Sequence, residues 1–361
     1  RDRFHENRTS VCLGFSRWKR EAAKKFLVGV GGEPLFAETP EAARSEATAR
    51  GGRVVVWGSR PVDLPSETPL VRAEDGFLRS VGLGAAFVAP ASLVFDDEGI
   101  YYDPSRPSRL ERIAETATFD DRLIARAADL RRTIVERRLS KYNVVGERRL
   151  ETPPGKLRVL VPGQVEDDAS VRLGSPEVPT NLELLRRVRA RWPDAHIVYK
   201  PHPDVQAGFR NGRIADDVAR SLADQVVTDV SMPSLLSQVD RVETMTSLTG
   251  FEALLRGLDV ATHGLPFYAG WGLTEDLVAC PRRTRRLSLD ELVAATLILY
   301  PRYVDPISGR PCPVEVVVDG LDRLRTRSAT PLGRAASALR HAYAWSAHSV
   351  GGPIWKAVVK R

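Results

Sequence analysis

Short apolar runs alternate with helix-length amphipathic stretches in two series, separated by Glu151-Thr-Pro-Pro-Gly155, and this alternation constrains the fold most. Two prolines and a glycine within five residues continue neither a helix nor a central strand, so that stretch reads as a linker. Before it, Arg53-Val-Val-Val-Trp57 ends on Gly58, a buried-strand pattern closed by a turn residue, and Leu70-Val-Arg-Ala73 runs into Glu74-Asp-Gly76. Ser92-Leu-Val-Phe95 and Ile100-Tyr-Tyr102 flank the acidic turn Asp96-Asp-Glu-Gly99 and predict a hairpin. Leu123, Ile124, Ala127, Leu130 and Ile134 recur at spacings of three and four, which predicts a helix over 120–138. After the linker the reading gives strands over 157–161, 196–199, 242–245 and 259–262, and helices over 181–191, 213–223, 234–239 and 251–256. Strand–helix alternation of this kind implies parallel sheets with helices on both faces.

A chain of 361 residues is long enough for two such units, each with its own core. The expected fold is α/β and GT-B-like. It has one Rossmann-like domain over 1–150, a second over 156–328, and a cleft between them. A helical tail over 329–361 reads either as a terminal helix packed on a domain or as a basic amphipathic segment resting on anionic lipid.

A hydrophobic content of 43% and a charged content of 27% are those of an ordinary soluble globular protein. No apolar run approaches the roughly 20 residues that span a bilayer, and no signal peptide is visible. The first residue is Arg1 rather than Met, as expected of a piece of a longer protein. Cys12, Cys280 and Cys312 are odd in number and scattered, which argues against a disulfide framework or zinc site and fits a reducing cytoplasm. The formal charge of +7 is carried largely by dispersed Arg, as in Arg186-Arg187 and Arg282-Arg-Thr-Arg-Arg286, with no helix-turn-helix or RNA-binding pattern. Nucleic acid is therefore not expected as a partner, and an anionic acceptor at a membrane surface suits the charge better.

The chemistry-bearing residues lie where apolar runs end. In open α/β sheets the edge beyond the strands' carboxyl ends is where nucleotide-containing ligands bind. Tyr199-Lys-Pro-His-Pro-Asp-Val205 holds His202 between two prolines with Lys200 beside it, so the imidazole could donate to a phosphate of a nucleotide leaving group. In Thr246-Ser-Leu-Thr-Gly-Phe-Glu252, Ser247 and Glu252 bracket Gly250 at the start of a helix. They read as helix capping, as a phosphate site with a carboxylate for a ribose diol, or as both. Gln164-Val-Glu-Asp-Asp-Ala-Ser170 follows the first strand of the second unit, and from the residues alone Glu166, Asp167 and Asp168 are equal candidates for a carboxylate at the cleft. Such a carboxylate could attack an anomeric carbon as a nucleophile. Glu74-Asp75 offers a turn, or a second carboxylate to take a proton from an acceptor hydroxyl. Gly264-Leu-Pro-Phe-Tyr-Ala-Gly-Trp-Gly-Leu-Thr-Glu-Asp276 lacks dinucleotide or P-loop spacing. It reads as a loop setting Tyr268 and Trp271 beside a sugar, or as a structural corner.

Taken in order, these pieces resemble the capsular polysaccharide biosynthesis proteins of the KpsC/LipB type over about residues 11 to 320. The likeness is carried also by Gly14-Phe-Ser-Arg-Trp-Lys-Arg20, Glu74-Asp-Gly-Phe-Leu-Arg-Ser80, Gly99-Ile-Tyr-Tyr-Asp103, Ser140-Lys-Tyr-Asn143 and Tyr300-Pro-Arg-Tyr-Val-Asp-Pro306. The resemblance is to a carboxy-terminal transferase module, which implies a second module in the native chain. It implies a retaining β-Kdo transferase that uses CMP-β-Kdo, without metal or cofactor, to extend a poly-Kdo linker on a phosphatidylglycerol-type lipid. It implies that Asp168 is the nucleophile, that Glu74 or Asp75 is the acid/base, and that His202, Ser247 and Glu252 contact the cytidylate. Gln164, Lys200 and Gly250 complete the expected donor-binding set. The implied place of work is cytoplasmic, with peripheral contact to the anionic inner membrane. Two other readings are open: a teichoic-acid-type phosphotransferase using a CDP-polyol, and a non-catalytic scaffold for capsule export.

Overall fold

The computed structural model describes residues 8–328 and 330, apart from 30, 83–87, 144–146 and 229. The tail expected over 329–361 lies outside the described residues except for Thr330. The first half supplies strands β1 (Ser10–Leu13), β2 (Leu35–Ala37), β3 (Arg53–Trp57), β4 (Leu70–Asp75) and β5 (Ser92–Asp96). Its helices are α1 (Arg17–Leu27), α2 (Pro40–Ala49), α3 (Arg109–Thr116) and α4 (Asp121–Glu136). The second half supplies β6 (Arg158–Pro162), β7 (His196–Lys200), β8 (Gln225–Val226), β9 (Arg241–Thr244), β10 (Asp259–Thr262) and β11 (Glu275–Asp276). With them come α5 (Ala169–Gly174), α6 (Asn181–Arg191), α7 (Pro203–Gln206), α8 (Asp216–Leu222), α9 (Met232–Leu236) and α10 (Leu248–Leu254).

The apolar runs form strands because both their faces are covered. Val54 and Val56 pack with Val11, Leu13 and the α2 alanines Ala43 and Ala47, whereas Val55 packs with Cys12 and with Ala23 and Phe26 of α1. Alternate residues of one run thus meet different helices, the pattern expected of a sheet buried on both sides. The second sheet repeats the arrangement. Val159, Val161, Ile197 and Tyr199 pack with Leu184, Leu185 and Val188 of α6, and Leu160, Val198 and Val242 join Phe251 and Leu254 of α10.

That second sheet has the order β11-β10-β9-β6-β7-β8 and every pairing in it is parallel. The chain proceeds from β6 outward through β7 and β8, then returns to the other side of β6 as β9. The crevice beyond β6 and β9 is therefore the switch point at which such sheets bind ligands.

Two sequence expectations fail. The hairpin over 92–102 does not form: β5 pairs antiparallel with β4, and 100–102 is a turn. Asp96 explains this, because its Oδ1 accepts from the backbone N–H groups of Glu98 (3.0 Å), Gly99 (2.8 Å) and Arg109 (3.0 Å). A side chain that captures three backbone donors steers the chain into α3 instead of back along the strand. Nor does the second unit keep all of 156–328. After α11 (Leu289–Val293) and a π-helical turn at Ala294–Leu299, β12 (Arg302–Tyr303) pairs antiparallel with β5, so the first sheet has the order β12-β5-β4-β3-β1-β2. Ion pairs of Arg131 with Asp290 (2.7 Å) and of Arg126 with Glu315 (2.7 Å) fasten α11 and α12 (Val314–Ser328) to α4. The carboxy-terminal segment thus crosses back to the first lobe.

Candidate active site

The carboxyl ends of β4, β6, β7 and β9 converge on one cleft of about 820 Å³. Its lining includes Glu74 and Asp75 from the first lobe, and Gln164, Asp168, Lys200, His202, Ser247 and Glu252 from the second. Eight of the nine residues of the expected catalytic and donor-binding set therefore meet at one place. The ninth, Gly250, does not line it. It lies in α10, where an added Cβ would collide with the Tyr268 hydroxyl, so packing of Tyr268 accounts for the glycine.

The three acids after β6 are separated by their partners. Glu166 accepts from the backbone N–H of Asn181 (2.8 Å) at the start of α6, and Asp167 pairs with the exposed Arg210 (3.2 Å). Asp168 caps α5, and its Oδ1 accepts from the Ser170 N–H (3.0 Å) and hydroxyl (2.7 Å). Among the described residues nothing donates to its Oδ2. One carboxylate oxygen is fixed and the other is open to the cleft. The loop that carries it passes close to the next one, because Gly163 packs where a Cβ would meet the Tyr199 hydroxyl at 2.9 Å and the His202 nitrogen at 3.1 Å.

His202 caps α7 by accepting the Asp204 N–H at Nδ1 (3.2 Å). A neutral ring accepting there carries its proton on Nε2. Burial pushes the His202 pKa down, against the carboxylates of Asp204 and Asp168, and the ring is therefore a neutral donor near pH 7. Gln164 spans the switch point: its Nε2 donates to the Thr246 hydroxyl (3.0 Å) and its Oε1 accepts from the Thr246 N–H (3.0 Å). It thereby fixes the loop on which Ser247 caps α10. Lys200 donates to the Thr228 carbonyl (3.1 Å). Glu252 accepts the Lys141 N–H (2.8 Å) across the lobes, and burial raises its pKa.

Glu74 and Asp75 stand one apart at the end of β4 and meet different surroundings. Asp75 Oδ2 accepts from the buried Arg79 (2.8 Å). The Glu74 carboxylate takes one hydrogen bond among the described residues, from the Asp75 N–H (2.9 Å). Burial, and then the neighbouring Asp75 charge, push its pKa up to about 7, against the pull of Lys19. Glu74 is thus poised to exchange a proton near neutrality.

Several cleft residues escaped the site reading. Tyr101 and Tyr102 line it from the turn that replaced the hairpin, and Lys141 lines it from the loop after α4. The signal was present, since all three lie in the motifs Gly99-Ile-Tyr-Tyr-Asp103 and Ser140-Lys-Tyr-Asn143. The loop over 264–276 is a structural corner: Tyr268 and Trp271 are buried, with the Trp271 indole donating to the Phe267 carbonyl (2.9 Å). Phe267 and Pro266 reach the cleft in their place. Among the described residues no cluster of three or more His, Cys, Asp or Glu is spaced to hold a metal, and no helix is long and apolar enough to cross a membrane.

The family model of the capsule polysaccharide biosynthesis protein matches residues 62–153 and 145–303. This chain belongs to that family. It is 47% identical over 300 residues to the capsule polysaccharide modification protein LipA of Neisseria meningitidis, a match covering 82% of this chain and 43% of LipA. It is 46% identical over 282 residues to the lipopolysaccharide-processing protein LpsZ of Rhizobium meliloti, covering 74% of this chain and 63% of LpsZ. The chain thus spans less than half the length of LipA. Two solved structures of Thermosulfurimonas dismutans KpsC are similar across 88% of this chain and 99% of theirs. The beta Kdo 2,7 transferase matches with a TM-score of 0.74 at 37% identity, and the beta Kdo 2,4 transferase with 0.75 at 34%. The two-lobed α/β fold is that of these neighbours.

Proposed function

We propose that this chain is a retaining glycosyltransferase that moves Kdo from CMP-β-Kdo to a Kdo-terminated glycolipid acceptor in capsule synthesis. The observation that carries the reading is the open Oδ2 of Asp168, in a cleft shared with the His202 imidazole and the Glu74 carboxylate. Asp168 Oδ2 attacks the anomeric carbon, and the bond to the phosphate oxygen breaks with its electron pair leaving on CMP. His202 Nε2–H and the α10 amino terminus face the charge that develops on that phosphate. In the second step Glu74 takes the proton of the acceptor hydroxyl, whose oxygen displaces Asp168 from the anomeric carbon. Two inversions return the starting configuration. Asp75, held by Arg79, orders this corner instead of exchanging the proton. A monophosphate leaving group needs no divalent ion in this scheme. The native protein in this reading carries a second transferase module and works at the cytoplasmic face of an anionic membrane, where the excess of cations favours a lipid-linked acidic acceptor.

Asp168→Ala is expected to lose transfer by at least about a thousandfold while its melting temperature stays within a few degrees of wild type. With CMP-β-Kdo and a Glu74→Gln variant, in which the second step is slowed, mass spectrometry should find one Kdo attached to the peptide carrying Asp168. Wild-type turnover by Asp168→Ala would remove the covalent route.

A further inference from the structure

The loop over 140–143 is pinned from both lobes. Ser140 and Asn143 exchange hydrogen bonds (3.0 and 3.1 Å), Asn143 Nδ2 donates to the Ser80 carbonyl (3.0 Å), and the Ser80 N–H donates to the Lys141 carbonyl (3.2 Å). The Lys141 N–H in turn goes to Glu252 of the second lobe (2.8 Å). All this fixes the backbone and leaves the side chain unoccupied: among the described residues no hydrogen bond or ion pair reaches the Lys141 ammonium. Its near neighbour is the Tyr142 ring, 5.3 Å away. Burial works against its charge, but Tyr142, Asp75 and Glu74 outweigh this and hold its pKa above the ordinary value. A half-buried cation in a cleft that makes no hydrogen bond or ion pair among the described residues can take an anionic ligand group without first giving up a bond to the protein.

We infer that Lys141 reads the carboxylate of the transferred sugar and selects an acidic donor. The inference rests on the functional reading above and adds a residue to it. The position argues for the sugar carboxylate over the phosphate. Lys141 lines the same cleft as the acid/base Glu74 and His202 and is within electrostatic reach of both. The phosphate falls at His202 and the incoming hydroxyl at Glu74, so the anomeric carbon lies between them. In a 2-ulosonic acid such as Kdo the carboxylate is bonded to that carbon, which brings it to the cation placed there. The phosphate already has the His202 imidazole.

The test compares CMP with CMP-β-Kdo by calorimetry on the full chain without acceptor, in wild type, Lys141→Met and Lys141→Arg. Lys141→Met is expected to weaken CMP-β-Kdo by about 10- to 100-fold, the size of one charge-assisted hydrogen bond, and to move CMP less than about threefold. Unchanged CMP binding also reports an intact cleft, and Lys141→Arg should recover part of the donor loss. Equal loss for CMP and CMP-β-Kdo would assign Lys141 to the phosphate. Loss confined to the KM of a Kdo acceptor would assign it to the acceptor's carboxylate. Either result, or wild-type donor binding in Lys141→Met, overturns the inference while leaving the transferase reading in place. A wild-type protein that binds neither compound overturns both.

Discussion

Two glutamates, the half-buried Glu74 at the end of β4 and the buried Glu243 within β9, lie in opposite electrostatic surroundings. Glu243 is fully buried and its carboxylate accepts from Trp192 Nε1 (2.8 Å) and Arg241 Nε (2.8 Å), with His263 Nε2 at 2.7 Å. Burial pushes its pKa up, but these hydrogen bonds more than reverse that and bring it down to about 2. Glu74 has one backbone donor and a like-charged neighbour, and its pKa rises to about 7. Loss of water pushes both pKa values up, so that push alone does not mark an available carboxylate. The count of donors offered by the protein does: a saturated carboxylate holds the fold, and an unsaturated one facing a cleft is available to a substrate.

Glu74→Gln should break this comparison on the catalytic side with the largest effect. In the proposed reaction it removes the base, and kcat is expected to fall by about 10²- to 10⁴-fold with little change in CMP affinity. The wild-type rate should rise with pH through about 7 as Glu74 ionises, and the residual rate of the variant should lack that limb. Stability should move the other way. A carboxylate whose folded pKa is raised from 4.5 to about 7 contributes stability below about pH 4.5 that is lost as the pH rises through 7. Glu74→Gln is therefore expected to be more stable than wild type at pH 8, by on the order of 1–3 kcal/mol, in urea unfolding. A variant less stable than wild type at pH 8 would show that Glu74 is held by the fold in the manner of Glu243.

Glu243→Ala tests the other half. It strands His263 and Trp192 Nε1 inside the second lobe and leaves Arg241 with Glu275 as its remaining carboxylate partner, at a cost of about 3–5 kcal/mol in unfolding free energy. The pH dependence has the opposite sign to that of Glu74: the Glu243 contribution is present above pH 4.5 and is lost as the pH falls towards 2. Below its melting temperature the variant should bind CMP with nearly wild-type affinity, since Glu243 does not line the cleft. A cleft that loses CMP in a folded Glu243→Ala protein would place this network in the binding machinery.

The sequence made the two-unit α/β plan legible because apolar runs such as Arg53–Trp57 and His196–Lys200 pack on both faces, and such a run needs no partner information to be read as a strand. It did not show that the chain returns to the first sheet. Arg302–Tyr303 is a strand of two residues whose register with β5 depends on where α11 and α12 pack. The candidate site was legible as positions and not as roles. Glu166, Asp167 and Asp168 are chemically alike in sequence, and only the partners Asn181, Arg210 and Ser170 tell them apart. The same holds for Glu74 against Asp75, which differ through Arg79. Lys141 was visible inside a motif, but a missing partner is a property of three dimensions.

Glu252 lies between the two extremes and gives the smallest expected effect. One oxygen accepts the Lys141 N–H, yet the residue lines the cleft, and burial raises its pKa in spite of Arg256, the Lys141 N–H and the Lys141 charge. Glu252→Gln keeps an oxygen able to accept from Lys141, so the tie between lobes survives and stability should change by less than about 1 kcal/mol. What it loses, in the proposed reading, is a charged acceptor for a ribose hydroxyl. CMP affinity is therefore expected to fall by about tenfold, as one charge-assisted hydrogen bond becomes a neutral one. If Glu252 belongs instead with Glu243, thermal unfolding will show a loss of several degrees with CMP affinity intact. If it belongs with Glu74, the pH–rate profile will shift while CMP binding holds. Each of the three carboxylates thus has a separate signature, and the donor count on the protein side predicts which one it shows.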